Sequence, residues 1–147
     1  VTSDHGWVPG FNERELATSI QHIRSFDFNS RVSLFVDSTS NNVINYEILD
    51  YCLKVGADTI EVHTGPFSKL IAAKDFTIID SLKLLLERAK DKGLNINAGH
   101  DLNLSNLKYL KDLDLIDEVS IGHAIIVDAL NFGFDDTIKK YIDIIKG

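Results

Sequence analysis

Methionine is absent from these 147 residues, cysteine and tryptophan occur once each, and proline twice. The lone cysteine, Cys52, excludes an internal disulfide and fits a reducing cytoplasm. It falls in a helical stretch, residues 46–55, and reads there as a small core hydrophobe. No run is long and apolar enough to cross a bilayer, which takes about 20 residues of helix, and no charged-then-apolar signal segment opens the chain. Positive charge is also scarce: 15 Lys and Arg against 22 Asp and Glu leave a net charge of −7. That excludes a broad nucleic-acid surface, which needs clustered basic side chains. It leaves room for small phosphorylated substrates, because backbone amides hold phosphate without a basic surface. Metal-ligand spacings such as H-x-H and H-E-x-x-H are missing too. Asp37, Glu61, His63, His100 and His123 could in principle converge on one ion, but without such spacing no metal site is expected.

What is present is ordinary in bulk and patterned in detail. Apolar residues make up 44% of the chain and charged residues 25%, enough for one globular domain segment over residues 1–147. The chain opens at Val1 in a polar stretch, Thr2-Ser3-Asp4-His5-Gly6, so we expect a piece of a longer protein whose opening loop is either a lid over a site or a frayed end. Asn12 is expected to cap a helix, with Glu13 and Glu15 in its first turn and Leu16, Ile20 and Ile23 along one face to about Phe26. Residues 32–37 form a β-rich run ending on Asp37. Asn41 or Asn42 is expected to cap a second helix carrying Val43, Ile44, Ile48, Leu49 and Leu53 and closed by Gly56. Strand 59–63 follows, then one long helical run over residues 68–92 closed by Gly93. Strand 94–98 comes next, then a short helix marked by Leu104, Leu107, Leu110 and Leu113. Strand 119–121 and a last helix over residues 137–145 end the chain.

Strict helix–strand alternation predicts a parallel sheet with right-handed crossovers. No G-x-G-x-x-G turn marks a dinucleotide-binding sheet. Each strand instead ends on a polar residue, Asp37, His63 or Thr64, His100 and His123, and chemistry spread over successive strand ends is the habit of the (β/α)8 barrel. Four strands are half of one.

Two strand ends repeat: Ala98-Gly99-His100 and Ile121-Gly122-His123. Glycine lets a ligand approach the backbone, the helix that follows offers free N–H groups, and histidine supplies a proton near neutral pH. Period-two alternation puts Thr59, Glu61 and His63 on one face and Ile60 and Val62 on the other. Glu61 then points into the barrel, where a carboxylate is costly unless paired, so it is either half of a structural ion pair or a functional group. Asp37 alone reads more simply as a turn former or cap.

The segments VSLFVD, GADTIEVHTG, LNINAGHDL and EVSIGHAII, in this order and spacing, resemble the C-terminal part of the pyridoxine phosphate synthase family, and the likeness runs from Val1 through the last helix. The resemblance implies a (β/α)8 barrel, of which this chain supplies strands five to eight, assembled into a cytoplasmic homo-octamer. It implies condensation of 3-amino-2-oxopropyl phosphate with 1-deoxy-D-xylulose 5-phosphate to pyridoxine 5′-phosphate, phosphate and water, with no cofactor or metal. His100 would be the proton donor and Glu61 the stabiliser of a charged transition state. Gly122, His123 and the backbone of Asp101 would hold the aminoketone phosphate, and Thr2 the deoxyxylulose phosphate. The family pattern carries glycine where Asp101 stands. Alternatives are another phosphate-binding barrel, such as a sugar-phosphate isomerase, and a non-catalytic metal- or phosphate-binding domain.

Overall fold

A computed structural model describes residues 4–40 and 43–147. Helix α1 (Glu13–Phe26) has the expected span. Asn12 does occupy its cap position, but at φ 55° and with no side-chain cap bond, so the expected capping role is not filled. Glu13 instead turns back to accept the Gly10 N–H at 2.9 Å. Strand β1 (Ser33–Asp37) follows, then a short antiparallel pair, β2 (Thr39–Ser40) and β3 (Val43–Ile44). Val43 and Ile44 were expected in a helix; the β-branched pair is extended instead. Helix α2 (Glu47–Val55) starts only where Glu47 and Asp50 supply an acidic first turn. The proposed caps Asn41 and Asn42 lie outside the described residues. Gly56 ends α2 at φ 94°, the left-handed turn that favours glycine.

After β4 (Thr59–His63), the single helix expected over residues 68–92 is two, α3 (Gly65–Ala72) and α4 (Thr77–Asp91). The break is local chemistry. Lys74 sits at φ 60°, and Asp75 Oδ1 accepts both the Thr77 N–H at 3.1 Å and its hydroxyl at 2.6 Å. Such short-range side-chain bonds compete with the helical ladder and restart it. Those Thr77 bonds also hold the Asp75 carboxyl below its usual range. Then come β5 (Asn95–Gly99), α5 (Leu107–Lys111), β6 (Glu118–Ser120), α6 (His123–Phe132) and α7 (Phe134–Lys146). Leu104 and Leu113 lie beyond the ends of the short α5. The last helical region begins earlier than expected and is split by Gly133 at φ 80°.

β1, β4, β5 and β6 make one parallel sheet in that order, with helices in the crossovers. The registers align Leu34 with Ile60 and Ile96, and Val36 with Val62, Ala98 and Val119. These rows face the helices and join Ile48, Leu49, Cys52, Leu82, Leu85, Leu86 and Ala89 in one core. Each buried aliphatic side chain of this kind contributes about 1.5–3 kcal/mol. Burial pushes the Cys52 thiol up to about 12, which leaves it an inert core group. Among the described residues no helix is long and apolar enough to cross a membrane.

At the opposite end from the strand C-termini, Asp117 ties α4 to the sheet. It accepts from Lys90 Nζ at 2.7 and 2.6 Å and from the Ile96 N–H at 2.7 Å. Burial pushes its carboxyl up, but the Lys90 and Ile96 donors outweigh that and hold it below the ordinary range. A depressed carboxyl contributes stability above its unfolded value of about 4, and loses it as pH falls through the lower folded value. Urea midpoints of wild type and Asp117→Asn should therefore differ at pH 7 and draw together as pH falls below the unfolded value of about 4. A constant gap would mean that charge has no part in the contact.

Candidate active site

The other face of the sheet is polar. In-register neighbours on parallel strands share a face, so Phe35, Glu61, Asn97 and Glu118 form one row. Asp37, His63, Gly99 and Ser120 form the next row toward the strand C-termini. Glu61 is thus on the face that alternation assigned it, away from the helices. Gly99 makes room for it: a Cβ there would collide with Glu61 Oε1. Asn97, 9% exposed, leaves its Oδ1 without a partner on this face.

A cavity of about 890 Å³ opens at the ends of β4, β5 and β6, and Glu61, His100, Asp101, Gly122 and His123 all line it. Five of the six site residues expected from sequence are therefore brought together. The sixth, Thr2, lies outside the described residues. Among the described residues no three His, Cys, Asp or Glu side chains are grouped to hold a metal ion.

Two backbone features face this cavity. The turn after β5 carries two consecutive non-glycine residues in the left-handed region, His100 at φ 90° and Asp101 at φ 57°. Its carbonyls are occupied. The Thr64 hydroxyl lies 2.6 Å from both Gly99 O and His100 O, and Asn106 Nδ2 donates to Asp101 O at 3.0 Å. The N–H groups of Asp101 and Leu102 find no acceptor among the described residues. The Asp101 side chain is exposed. The second feature is the start of α6. Gly122 holds the cap position with no side-chain cap bond, so the first N–H groups of a ten-residue helix are open to a ligand. Both features suit an anion, the first as a concavity of amides and the second through the helix dipole as well.

Behind His100 lies an imidazole that the sequence did not assign. His63 is 7% exposed, its Nδ1 lies 2.8 Å from Asp37 Oδ1, and its ring stands edge-on to His100 with centroids 5.0 Å apart. Phe35 packs on both rings, at 5.1 and 5.8 Å. Asp37 is thus more than the turn residue expected of it. It bridges His63 and the Gly6 N–H, at 2.9 Å, and ties the opening segment to β1. A Cβ on Gly6 would strike the Asp37 and Val36 backbone, so only glycine fits that seam. The signal for Asp37 was its register opposite His63, which no local pattern reveals.

The family model described as "Pyridoxal phosphate biosynthesis protein PdxJ" matches residues 1–147. Curated relatives named pyridoxine 5′-phosphate synthase include one from Porphyromonas gingivalis, 35% identical over 97% of this chain and 57% of its own length. One from Cytophaga hutchinsonii is 37% identical over 97% and 57%, and one from Chelativorans sp. 38% identical over 97% and 56%. The chain spans a little over half the length of these relatives. With the family model matched from the first residue to the last, the chain belongs to the PdxJ family.

Proposed function

We propose that this chain is the strand-five-to-eight half of a (β/α)8 barrel and carries one side of the active site of a pyridoxine 5′-phosphate synthase. The observation that carries the reading is the convergence of Glu61, His100, Asp101, Gly122 and His123 on one cavity at the C-terminal ends of parallel strands, where barrel enzymes place their chemistry. The substrates are 3-amino-2-oxopropyl phosphate and 1-deoxy-D-xylulose 5-phosphate. Amine attack on a ketone gives a carbinolamine, whose hydroxyl leaves as water only once protonated. His100, at the cavity wall, is the donor. The imine nitrogen carries positive charge as water departs, and the Glu61 carboxylate stabilises it. The aminoketone phosphate sits between the Asp101 and Leu102 amides and the start of α6, with the Gly122 amide and the His123 side chain completing the grip. The Asp101 backbone serves there while its exposed carboxylate turns to solvent. Thr2 binds the deoxyxylulose phosphate. Condensation and ring closure move protons and expel phosphate and water with no net electron transfer, so positioned acids and bases suffice without a cofactor.

The remaining strands supply the opposite wall, in a cytoplasmic homo-octamer. Exposed apolar side chains on the last two helices, Leu130 at 85% and Phe134 at 59%, suit surfaces covered by the rest of the barrel or by other subunits. The test is product formation by the full-length protein. Pyridoxine 5′-phosphate should appear only when both phosphorylated substrates are present. Conversion of either substrate alone would instead identify a sugar-phosphate isomerase, the second reading.

A further inference from the structure

Thr64 stands where threonine ordinarily caps a helix. It holds the N-cap position of α3, yet its hydroxyl makes no cap bond there. It reaches across to the turn after β5 instead, to Gly99 O and His100 O, and is 0% exposed. Asn106, 2% exposed, holds the next carbonyl, that of Asp101, and its Oδ1 accepts the Asn103 N–H at 2.9 Å. Ser68 Oγ, on α3, accepts from the same Asn106 amide at 3.0 Å. The Thr64 N–H holds Gly99 O at 2.8 Å, the single hydroxyl proton of Thr64 is shared between Gly99 O and His100 O, and Asn106 holds Asp101 O. In a planar trans peptide the N–H of the following residue points opposite to the carbonyl. Gripping the carbonyls of His100 and Asp101 consequently orients the N–H groups of Asp101 and Leu102, which find no acceptor among the described residues. Two adjacent left-handed residues that are not glycine persist only where their surroundings over-determine them. Here Thr64 and Asn106 do so.

We infer that Thr64 and Asn106 are positioning residues, holding the peptide planes of the turn so that the Asp101 and Leu102 N–H groups face the cavity as one phosphate receptor and His100 stays on the cavity wall. That the amides receive a phosphate rests on the function proposed above; the clamp goes beyond it. Thr64 touches neither substrate and acts through the turn.

The experiment compares wild type, Thr64→Val and Thr64→Ser in the full-length protein. Inorganic phosphate is titrated while the Asp101 and Leu102 amides are followed by NMR, and kcat and KM are measured with both substrates. Valine keeps the shape and removes the hydroxyl, so phosphate affinity and kcat should each fall about tenfold to a hundredfold, as for loss of bonds that serve a charged ligand. Serine restores the hydroxyl and should stay within about threefold of wild type. Asn106→Asp, which turns a donor to the Asp101 carbonyl into an acceptor, should mimic valine and carries the test if the valine variant does not fold. Unchanged phosphate-induced amide shifts and turnover in Thr64→Val would overturn the clamp, as would equal losses in valine and serine. If the wild-type amides ignore phosphate, the phosphate reading of the cavity falls, and the clamp's purpose with it.

Discussion

His100→Asn is expected to lower turnover by about 10²–10⁴-fold, the usual worth of a positioned general acid. Asparagine is the informative replacement because position 100 lies at φ 90°. Alanine there would add backbone strain to the loss of the imidazole, whereas asparagine tolerates left-handed conformations far better and leaves the turn in place. The Gly99, His100 and Asp101 carbonyls should keep their Thr64 and Asn106 partners, so the KM for the aminoketone phosphate should change little. The prediction is therefore a fall in kcat at nearly constant KM, the mark of an interaction made in the transition state. Wild-type turnover in this variant would mean that another group donates the proton. The neighbouring His63 would then become the candidate, since its ring lies against His100 and is oriented by Asp37.

Gly99→Ala should be nearly as damaging to activity while leaving the fold in place. Gly99 is not among the residues at positive φ, so alanine meets no conformational objection there. The added methyl meets Glu61 Oε1, the far end of a flexible side chain, and Ser120 Cβ at an ordinary 3.4 Å. The protein can accommodate it by swinging the carboxylate away. A position that alanine accepts often gains about 0.4–1 kcal/mol from the stiffer unfolded chain, so the melting temperature should barely move. The displaced carboxylate no longer faces the developing iminium. Removing one such preorganised group costs about 10²–10³-fold in kcat. The comparison with Glu61→Gln is decisive: the two single variants and the double variant should be about equally slow. If Gly99→Ala and Glu61→Gln multiplied instead, the methyl would be harming something other than Glu61.

The sheet was legible because its two faces differ in kind. Ile60 and Val62 alternate with Thr59, Glu61 and His63, and a period of two with one apolar face has a single reading. Helices α1 and α2 end where Phe26 and Gly56 said they would. The long run after β4 misled because its apolar spacing continues through Lys74-Asp75, and only the Asp75–Thr77 bonds reveal the break. Helix α6, expected after Gly122-His123, was given no bounds for the opposite reason. His123-Ala124-Ile125-Ile126-Val127 is apolar on every side, so no periodic stripe announces it. The candidate site followed the same division. The repeated Gly-His strand ends and Glu61 were visible as local patterns. The partners of Asp37, Thr64 and Asn106 were not, because each acts on a residue brought near only by strand register or by the turn after β5. A threonine beside Gly65-Pro66 looks like a helix cap until the fold gives its hydroxyl a different partner.

Position 101 shows what the clamped turn asks of the residues that drift through it. Its backbone stands at φ 57° and its side chain is exposed. Glycine, aspartate and asparagine are the residues that enter this region at least cost. The family's glycine and this chain's aspartate are therefore neighbours in conformational preference, although they differ by a full charge. The turn thus constrains torsion angle ahead of charge at this position. Asp101→Gly should therefore leave the turn in place, whereas a β-branched residue of similar size would strain it.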